Sequence, residues 1–115
     1  MPVARVVLYV KDVEGVATFY ERHFGLRRLA GETPGWIELS SGEGCTIAVH
    51  QASRTAKSGA AMKLVFAVRE VAKFKAASAR RGLKFGPIHR VEGFELANAK
   101  DPAGNSISIS SRGLT

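Results

Sequence analysis

The chain has 115 residues, 45% of them hydrophobic, which predicts a single globular domain over residues 1–115. One cysteine, Cys45, excludes an internal disulfide, and the sequence has neither a long apolar run nor a signal-peptide pattern, so we expect a cytoplasmic protein with no membrane partner. The net charge is +7, divided as +1 over residues 1–57 and +6 over residues 58–115, and such a field attracts anions.

The first half of the chain predicts one strand, one helix and three further strands. Residues 5–10 are rich in β-branched and aromatic side chains, as in a strand. Asp12 is suited to cap a helix, and Gly25 is suited to end it. The apolar stripe of that helix is formed by Val13, Val16, Ala17, Tyr20 and Phe24. Three short strands are expected at residues 26–30, 35–40 and 45–51, followed by a polar connector at 52–60.

The second half predicts the same order of elements. A strand is expected at residues 63–68 and a helix through Val71, Phe74, Ala77 and Ser78 that ends near Gly82. Further strands are predicted near 84–90, at 94–99 and at 106–110, the last of them after a strong turn signal at 101–105. Lys63 then corresponds to Arg5, and residues 106–110 correspond to 46–50. We therefore predict a duplicated unit, with modules of about residues 1–52 and 61–115.

Several local motifs resemble those of one known superfamily. They are the Asp12-Val13 helix start, Phe19-Tyr20, Gly25-Leu26 and the segment Asp101-Pro-Ala-Gly-Asn105 before an alternating strand. In this order they are similar to the vicinal-oxygen-chelate superfamily of glyoxalases, bleomycin-resistance proteins and extradiol dioxygenases. The resemblance implies an α+β fold in which two βαβββ modules form a curled, partly open mixed sheet around a cavity. It also implies a homodimer, because relatives of this size complete the cavity with a second chain.

Metal-using members of that superfamily place one ligand on each of four strands. The corresponding positions here are Arg5, Ala48, Lys63 and Ser108. Arginine and alanine offer no lone pair, lysine is protonated, and serine is a weak neutral ligand. We therefore predict no metal and no cofactor.

Strand alternation predicts which side chains share the cavity. If Arg5 faces it, so do its neighbours on the strand, and the same rule applies to the other strands. The predicted ligand-binding residues are Arg5, Val7, Tyr9, Trp36, Glu38, Ala48, His50, Lys63, Val65 and Ser108. Arg5 and Lys63 favour an anionic ligand, with Glu38 as a possible ion-pair partner for one of them. Simpler interpretations of these residues stay open. Trp36, for example, could pack at a rim without contacting a ligand.

Three functions are compatible with these residues. The first is a binding protein that sequesters a small anionic or neutral aromatic molecule. The second is an enzyme, which the resemblance would make a lyase or dioxygenase with a rearranged metal site. His50 and Glu38 are then the catalytic candidates. His50 also fits the alternative of a histidine near the surface that has no catalytic role. The third is a basic accessory protein for nucleic acid, suggested by the basic residues Lys73, Lys75, Arg80, Arg81 and Lys84. No nucleic-acid reading motif accompanies them, so we interpret them as a solvated surface.

Cys45 is expected in the core with Ile47 and Val49, where thiols are inert.

Overall fold

A computed structural model describes residues 5–31, 33–53, 62–112 and 114 of the chain. Two units are distinguished by their internal contacts, Met1–Gly59 and Ala60–Thr115. The predicted connector at 52–60 lies mostly outside the described residues. None of the described helices is long and apolar enough to cross a membrane.

The first unit is a four-stranded sheet with one helix. Its elements are β1 (Arg5–Val10), α1 (Val13–Phe24), β2 (Arg27–Arg28), β3 (Trp36–Ser40) and β4 (Thr46–Gln51). The strand order is β1-β4-β3-β2, with β1 parallel to β4 and the other pairs antiparallel. As predicted, Asp12 caps α1, because its carboxylate accepts a hydrogen bond from the backbone N–H of Gly15 at 2.9 Å. Gly25 ends the helix in the left-handed conformation.

The second unit repeats this arrangement. Its elements are β5 (Lys63–Ala67), α2 (Val71–Arg80), β6 (His89–Val91), β7 (Phe94–Lys100) and β8 (Ser106–Ser110). The strand order β5-β8-β7-β6 matches that of the first sheet, and β5 is again parallel to the last strand. Arg5 pairs with Thr46 and Lys63 with Ser106, so the two basic residues hold the same position in the two sheets. The duplication predicted from the sequence is therefore confirmed at the level of strand register.

In each unit the helix covers one face of the sheet. Side chains alternate between the two faces along each strand, and those of Leu8, Val10 and Val49 lie on the helix side. There they are buried together with Tyr20 of α1. In the second unit Ile107, Ile109 and Ala97 form the corresponding core with Val71 of α2. Full burial of such aliphatic side chains contributes about 1.5–3 kcal/mol each. The opposite face of each sheet is not covered by the helix of its unit.

Three expectations about local structure were wrong. Strand β2 covers only Arg27–Arg28, because the N–H of Leu26 already bonds to the carbonyl of Tyr20 at the helix end. Residues 84–88 form no strand, since the segment contains Pro87, which cannot donate to a strand ladder. Cys45 is exposed and precedes β4, so it does not belong to the core.

Candidate functional site

The first sheet exposes the face that α1 does not cover. On β1 the side chains alternate sharply, with Leu8 at 2% exposure and Tyr9 at 58%. Arg5, Val7 and Tyr9 therefore share the uncovered face, as the alternation predicts. The register joins each of them to β4: Arg5 lies opposite Thr46, Val7 opposite Ala48 and Tyr9 opposite His50.

Three rings form a row across this face. Trp36 pairs with His50 on β4, and His50 pairs with Tyr9 on β1. The ring centroids of Tyr9 and His50 are 5.2 Å apart, and those of Trp36 and His50 are 5.5 Å apart with the rings nearly perpendicular. These separations lie within the range of favourable ring contacts. The row of Tyr9, His50 and Trp36 is called the aromatic row below.

The imidazole of His50 has a defined orientation in this row. Its Nδ1 lies 2.8 Å from the backbone carbonyl oxygen of Gln51. A carbonyl only accepts hydrogen bonds, so Nδ1 carries the proton, and in the neutral ring Nε2 keeps its lone pair. The ring therefore combines an apolar surface for stacking with one nitrogen that can accept a hydrogen bond from a ligand.

A charged network occupies the neighbouring positions of the same face. Glu38 accepts a hydrogen bond from the Thr46 hydroxyl at 2.6 Å and lies 3.4 Å from Nε of Arg5. The Thr46 hydrogen bond, followed by the Arg5 guanidinium, holds the pKa of Glu38 below its usual value. Glu38 is therefore ionised near neutral pH and compensates the charge of Arg5. An ion pair between Glu38 and a basic residue was one of the alternatives left open by the sequence.

A groove of about 710 Å³ lies beside this face at the sheet edge. Only Trp36 and Glu38 of the predicted site residues line it. The rest of its wall comes from the start of α1, from Arg28 of β2, from Ile37 of β3 and from the segment between these two strands. Arg28 in that wall is held by carboxylates of α1, at 2.8 Å from Glu14 and 3.0 Å from Glu21. Arg28 is thus compensated, and the groove adds shape but no excess charge to the face.

The second sheet presents an equivalent uncovered face. Val65 is 60% exposed on β5, and Lys63 is exposed beside it on the same face. The Nζ of Lys63 donates to Oδ1 of Asn98 at 3.4 Å, and the Nζ of Lys100 donates to the Ser106 hydroxyl at 3.0 Å. Asn98 and Lys100 were not predicted. The repeat offered a signal for them, because they correspond in register to Glu38 and Ser40 of the first sheet.

Two predicted ligand-binding residues are small and covered. Ala48 has no exposed surface, and Ser108 is 3% exposed, since they lie on the central strands β4 and β8. The hydroxyl of Ser108 donates to the carbonyl of Ala97 at 3.1 Å. These two residues form the floor of their faces beneath larger neighbours. They would shape a site more than they would contact a ligand.

The pair of catalytic candidates is not assembled. The carboxylate of Glu38 turns toward Thr46 and Arg5, whereas His50 directs Nδ1 to a backbone carbonyl. His50 and Glu38 therefore make no mutual contact of the kind needed for proton transfer between them.

The donor set does not fit the divalent ion that the family resemblance implies. At the four strand positions stand a guanidinium, a methyl group, an ammonium and a buried hydroxyl, from Arg5, Ala48, Lys63 and Ser108. In the described part of the chain, no three His, Cys, Asp or Glu side chains cluster as metal ligands would. These four positions therefore do not fit a divalent metal ion.

The basic residues of the second helix are partly engaged on the surface. Lys73 lies 3.7 Å from Glu70, both being largely exposed, and the guanidinium of Arg81 lies 5.9 Å from the ring centroid of Phe74. Such exposed pairs contribute little to stability. They are consistent with the interpretation of this helix as a solvated surface.

Solved structures of known proteins share this fold. Lactoylglutathione lyase from Agrobacterium tumefaciens matches with a TM-score of 0.78 and 18% identity, over 97% of this chain and 94% of that chain. TnmS3, an antibiotic binding protein from Streptomyces sp. CB03234, matches with a TM-score of 0.80 and 20% identity, over 95% and 93%. A glyoxalase/bleomycin resistance protein/dioxygenase family enzyme from Burkholderia phytofirmans PsJN has a TM-score of 0.80 and 20% identity, over 96% and 98%. At these identities the likeness shows the fold alone.

A sequence comparison identifies the family directly. Among curated proteins no sequence matches this chain significantly. The profile of the Glyoxalase/Bleomycin resistance protein/Dioxygenase superfamily, however, matches residues 3–109, which is nearly the whole chain. Together with the duplicated βαβββ order and the matching strand register, this shows that the chain belongs to the glyoxalase/bleomycin resistance protein/dioxygenase superfamily.

Proposed function

We propose that this protein is a single-domain member of the superfamily that binds a small aromatic molecule, anionic or neutral, without a metal ion. The observation that carries the proposal is the aromatic row of Tyr9, His50 and Trp36 on an exposed sheet face. Tyr9 is exposed and the rings of Trp36 and His50 are half-buried, so the row offers a partly exposed stacking surface of the kind that lines organic-ligand sites. The Nε2 of His50 adds one polar contact that can orient the ligand.

The charges on the two sheets, each taken by itself, support an anionic or neutral ligand over a cationic one. Arg5 is offset by Glu38, whereas Lys63 on the second sheet has no acidic partner among the described residues. A cationic ligand gains nothing from this balance and is repelled by the net positive second half. Sequestration of a drug or metabolite fits these faces, and the antibiotic binding protein TnmS3 has the same fold.

The proposal includes a homodimer in the cytoplasm. Apolar side chains such as Tyr9 and Val65 remain more than half exposed on the uncovered faces, and a second chain would reduce that exposure. Closed symmetric pairing is the commonest way for such a face to be covered.

The function is tested by a thermal-shift screen with matched aromatic compounds. Naphthoate, its neutral methyl ester and the cationic naphthylmethylamine present the same ring system with three different charges. The proposal predicts stabilisation by the anion, less by the ester and none by the amine, because only ligands that bind the folded state raise the unfolding temperature. A response dominated by the amine would contradict it.

The two alternatives predict different results. An enzyme with a rearranged metal site would be stabilised by zinc, nickel, manganese or iron(II) salts, and stoichiometric metal would copurify with it. A nucleic-acid accessory protein would be retained on duplex or single-stranded DNA at low salt and released as salt increases. If the aromatic compounds give no response, bound metal would favour the enzyme and retention on DNA would favour the accessory protein, and either result would contradict the proposed function.

A further inference from the structure

The uncovered face of the second sheet differs from that of the first in its charge. In the first sheet the basic Arg5 is matched by the carboxylate of Glu38. The corresponding position in the second sheet is Asn98, which faces Ser108 as Glu38 faces Ala48. An amide in place of a carboxylate leaves the ammonium of Lys63 uncompensated. Lys63 therefore lacks the carboxylate partner that Arg5 has in the first sheet.

A second lysine joins the same face. Lys100 pairs with Ser106 on β8, and Ser106 pairs with Lys63 on β5, so the three residues form one row across the sheet. The position corresponding to Lys100 in the first sheet is Ser40, which is neutral. Among the positions at which the two faces differ, Glu38 against Asn98 and Ser40 against Lys100 change the charge, and both make the second face more positive.

Both ammonium groups lie above the strand β8 between them. The Cα atoms of Lys63 and Lys100 are separated by two strand spacings, roughly 10 Å. The Nζ of Lys100 nevertheless lies 3.0 Å from the Ser106 hydroxyl, and the Nζ of Lys63 lies 3.4 Å from Asn98 on the far side of β8. The two side chains lean toward each other and do not extend away into solvent. No acidic group among the described residues is ion-paired with either lysine.

We propose that Lys63, Lys100, Ser106 and Asn98 form an oxyanion subsite that binds a phosphate monoester group. Each ammonium has further N–H donors beyond its one internal hydrogen bond, and the Ser106 hydroxyl and the Asn98 amide add neutral donors. Two positive charges match the two negative charges of a phosphate monoester better than the one of a carboxylate. This inference concerns the face of the second sheet alone and goes beyond the proposed function, because it adds a phosphate-binding site to a part of the protein that the aromatic row does not include.

The subsite is tested by calorimetric titration of the full chain with naphthyl phosphate and with naphthol, its neutral counterpart. Lys63→Gln and Lys100→Gln should each weaken binding of naphthyl phosphate roughly tenfold, because each removes a charge-assisted hydrogen bond, and should leave naphthol binding unchanged. Asn98→Asp is nearly isosteric and restores the acid of the first sheet, so it should weaken phosphate binding as well. Lys84→Gln, on an exposed lysine outside the face, serves as the control and should bind both compounds like the wild type.

A second readout separates this inference from the proposed function. Inorganic phosphate added to the wild-type protein should shift the backbone amide NMR signals of Lys63, Ser106 and Lys100, and these shifts should disappear in Lys100→Gln. If naphthol binds while phosphate leaves these signals unchanged, the subsite is overturned and the function stands. If phosphate shifts them and neither naphthyl compound binds, the anion subsite stands and the proposed function fails. If the three variants bind naphthyl phosphate as tightly as Lys84→Gln does, the assignment of the subsite is wrong.

Discussion

Glu38 and Asn98 occupy the same position in the two sheets of the duplicated fold, and they give the two faces different charges. Glu38 lies opposite Ala48 and compensates Arg5, whereas Asn98 lies opposite Ser108 and only accepts a hydrogen bond from Lys63. The exchange of carboxylate for amide, together with Lys100 at the position of Ser40, makes the face of the second sheet more positive than the aromatic face of the first.

The ion pair of Glu38 predicts a loss of stability in acid. Because the Thr46 hydroxyl and Arg5 lower the pKa of Glu38, the folded state binds fewer protons than the unfolded state. The contribution of Glu38 is fully present above its ordinary value near 4.5 and is lost as the pH falls through the lower pKa of the folded protein. Urea unfolding of wild type and Glu38→Gln from neutral pH into acid should show a stability difference that shrinks below about pH 4.5. A difference that stays constant over this range would contradict the assignment.

The aromatic row predicts a specific loss of affinity. Replacing Tyr9 or Trp36 by alanine removes a stacking partner, which should weaken binding of naphthol by about threefold to tenfold, since a ring contact contributes about 0.5–1.5 kcal/mol. Val91→Ala is the control, because Val91 is also an exposed apolar side chain, at 47%, but lies on β6 of the other sheet. Calorimetry measures the affinity of each variant for naphthol. Equal affinities of Tyr9→Ala, Trp36→Ala and Val91→Ala would show that the aromatic row does not bind the ligand.

The two helix starts predict stability changes of opposite sign. The Asp12 side chain caps α1, so Asp12→Ala should destabilise the protein by about 1 kcal/mol. Glu70 stands at the same place before α2 but makes no capping hydrogen bond through its side chain. Glu70→Asp shortens the side chain to the length that caps α1, and we expect it to stabilise by about 0.5–1 kcal/mol. Chemical denaturation measures both, and a destabilising Glu70→Asp would show that α2 starts differently from α1.

The donor set predicts that purified protein contains well below one equivalent of divalent metal per chain. Arg5 and Lys63 are charged positively, Ala48 has no donor atom, and the Ser108 hydroxyl is buried. Elemental analysis after mild dialysis checks this, with a histidine-tagged and an untagged preparation compared so that metal on the tag is not counted. One equivalent of zinc, iron, nickel or manganese in the untagged protein would contradict the account.

The exposed sheet faces predict self-association. Sedimentation velocity at micromolar concentration should give a dimer, because Tyr9 and Val65 are too exposed for a face that stays in water. Tyr9→Lys should shift the distribution toward monomer, while Ala79→Lys, at an exposed position of α2 and outside the sheet faces, should not. A monomer at all concentrations would count against the dimer.

The sequence predicted the parts of the fold that depend on local periodicity. Asp12 and Gly25 bound α1 as expected, and the alternation along β1 placed Tyr9 and Leu8 on opposite faces. Because the two halves repeat, the correspondence of Arg5 and Lys63 also followed from the sequence and is seen in the register. Periodicity is a property of single elements, which is why it could be read without knowing the tertiary contacts.

The errors concern features that depend on neighbouring strands or on single backbone groups. Pro87 limits β6 to the residues after it, and the turn before β4 leaves Cys45 in solvent, where alternation had placed it in the core. The preference of Glu38 for Arg5 depends on the diagonal reach from β3 across β4 to β1, which only the register defines. Asn98 and Lys100 were missed for a related reason. The strand was predicted at 94–99, so Lys100 lay beyond its end, and its register with β8 was not predicted.

The most direct test of the proposed function is native mass spectrometry of the untagged protein in a competition. The protein is mixed with equal concentrations of naphthyl phosphate, naphthol and naphthylmethylamine, and one spectrum records metal, ligand and oligomer together. The account predicts adducts of naphthyl phosphate in excess over naphthol and little amine, on chains without bound metal. Adducts dominated by the amine, or ligand bound only to chains that also carry one divalent metal ion, would contradict it.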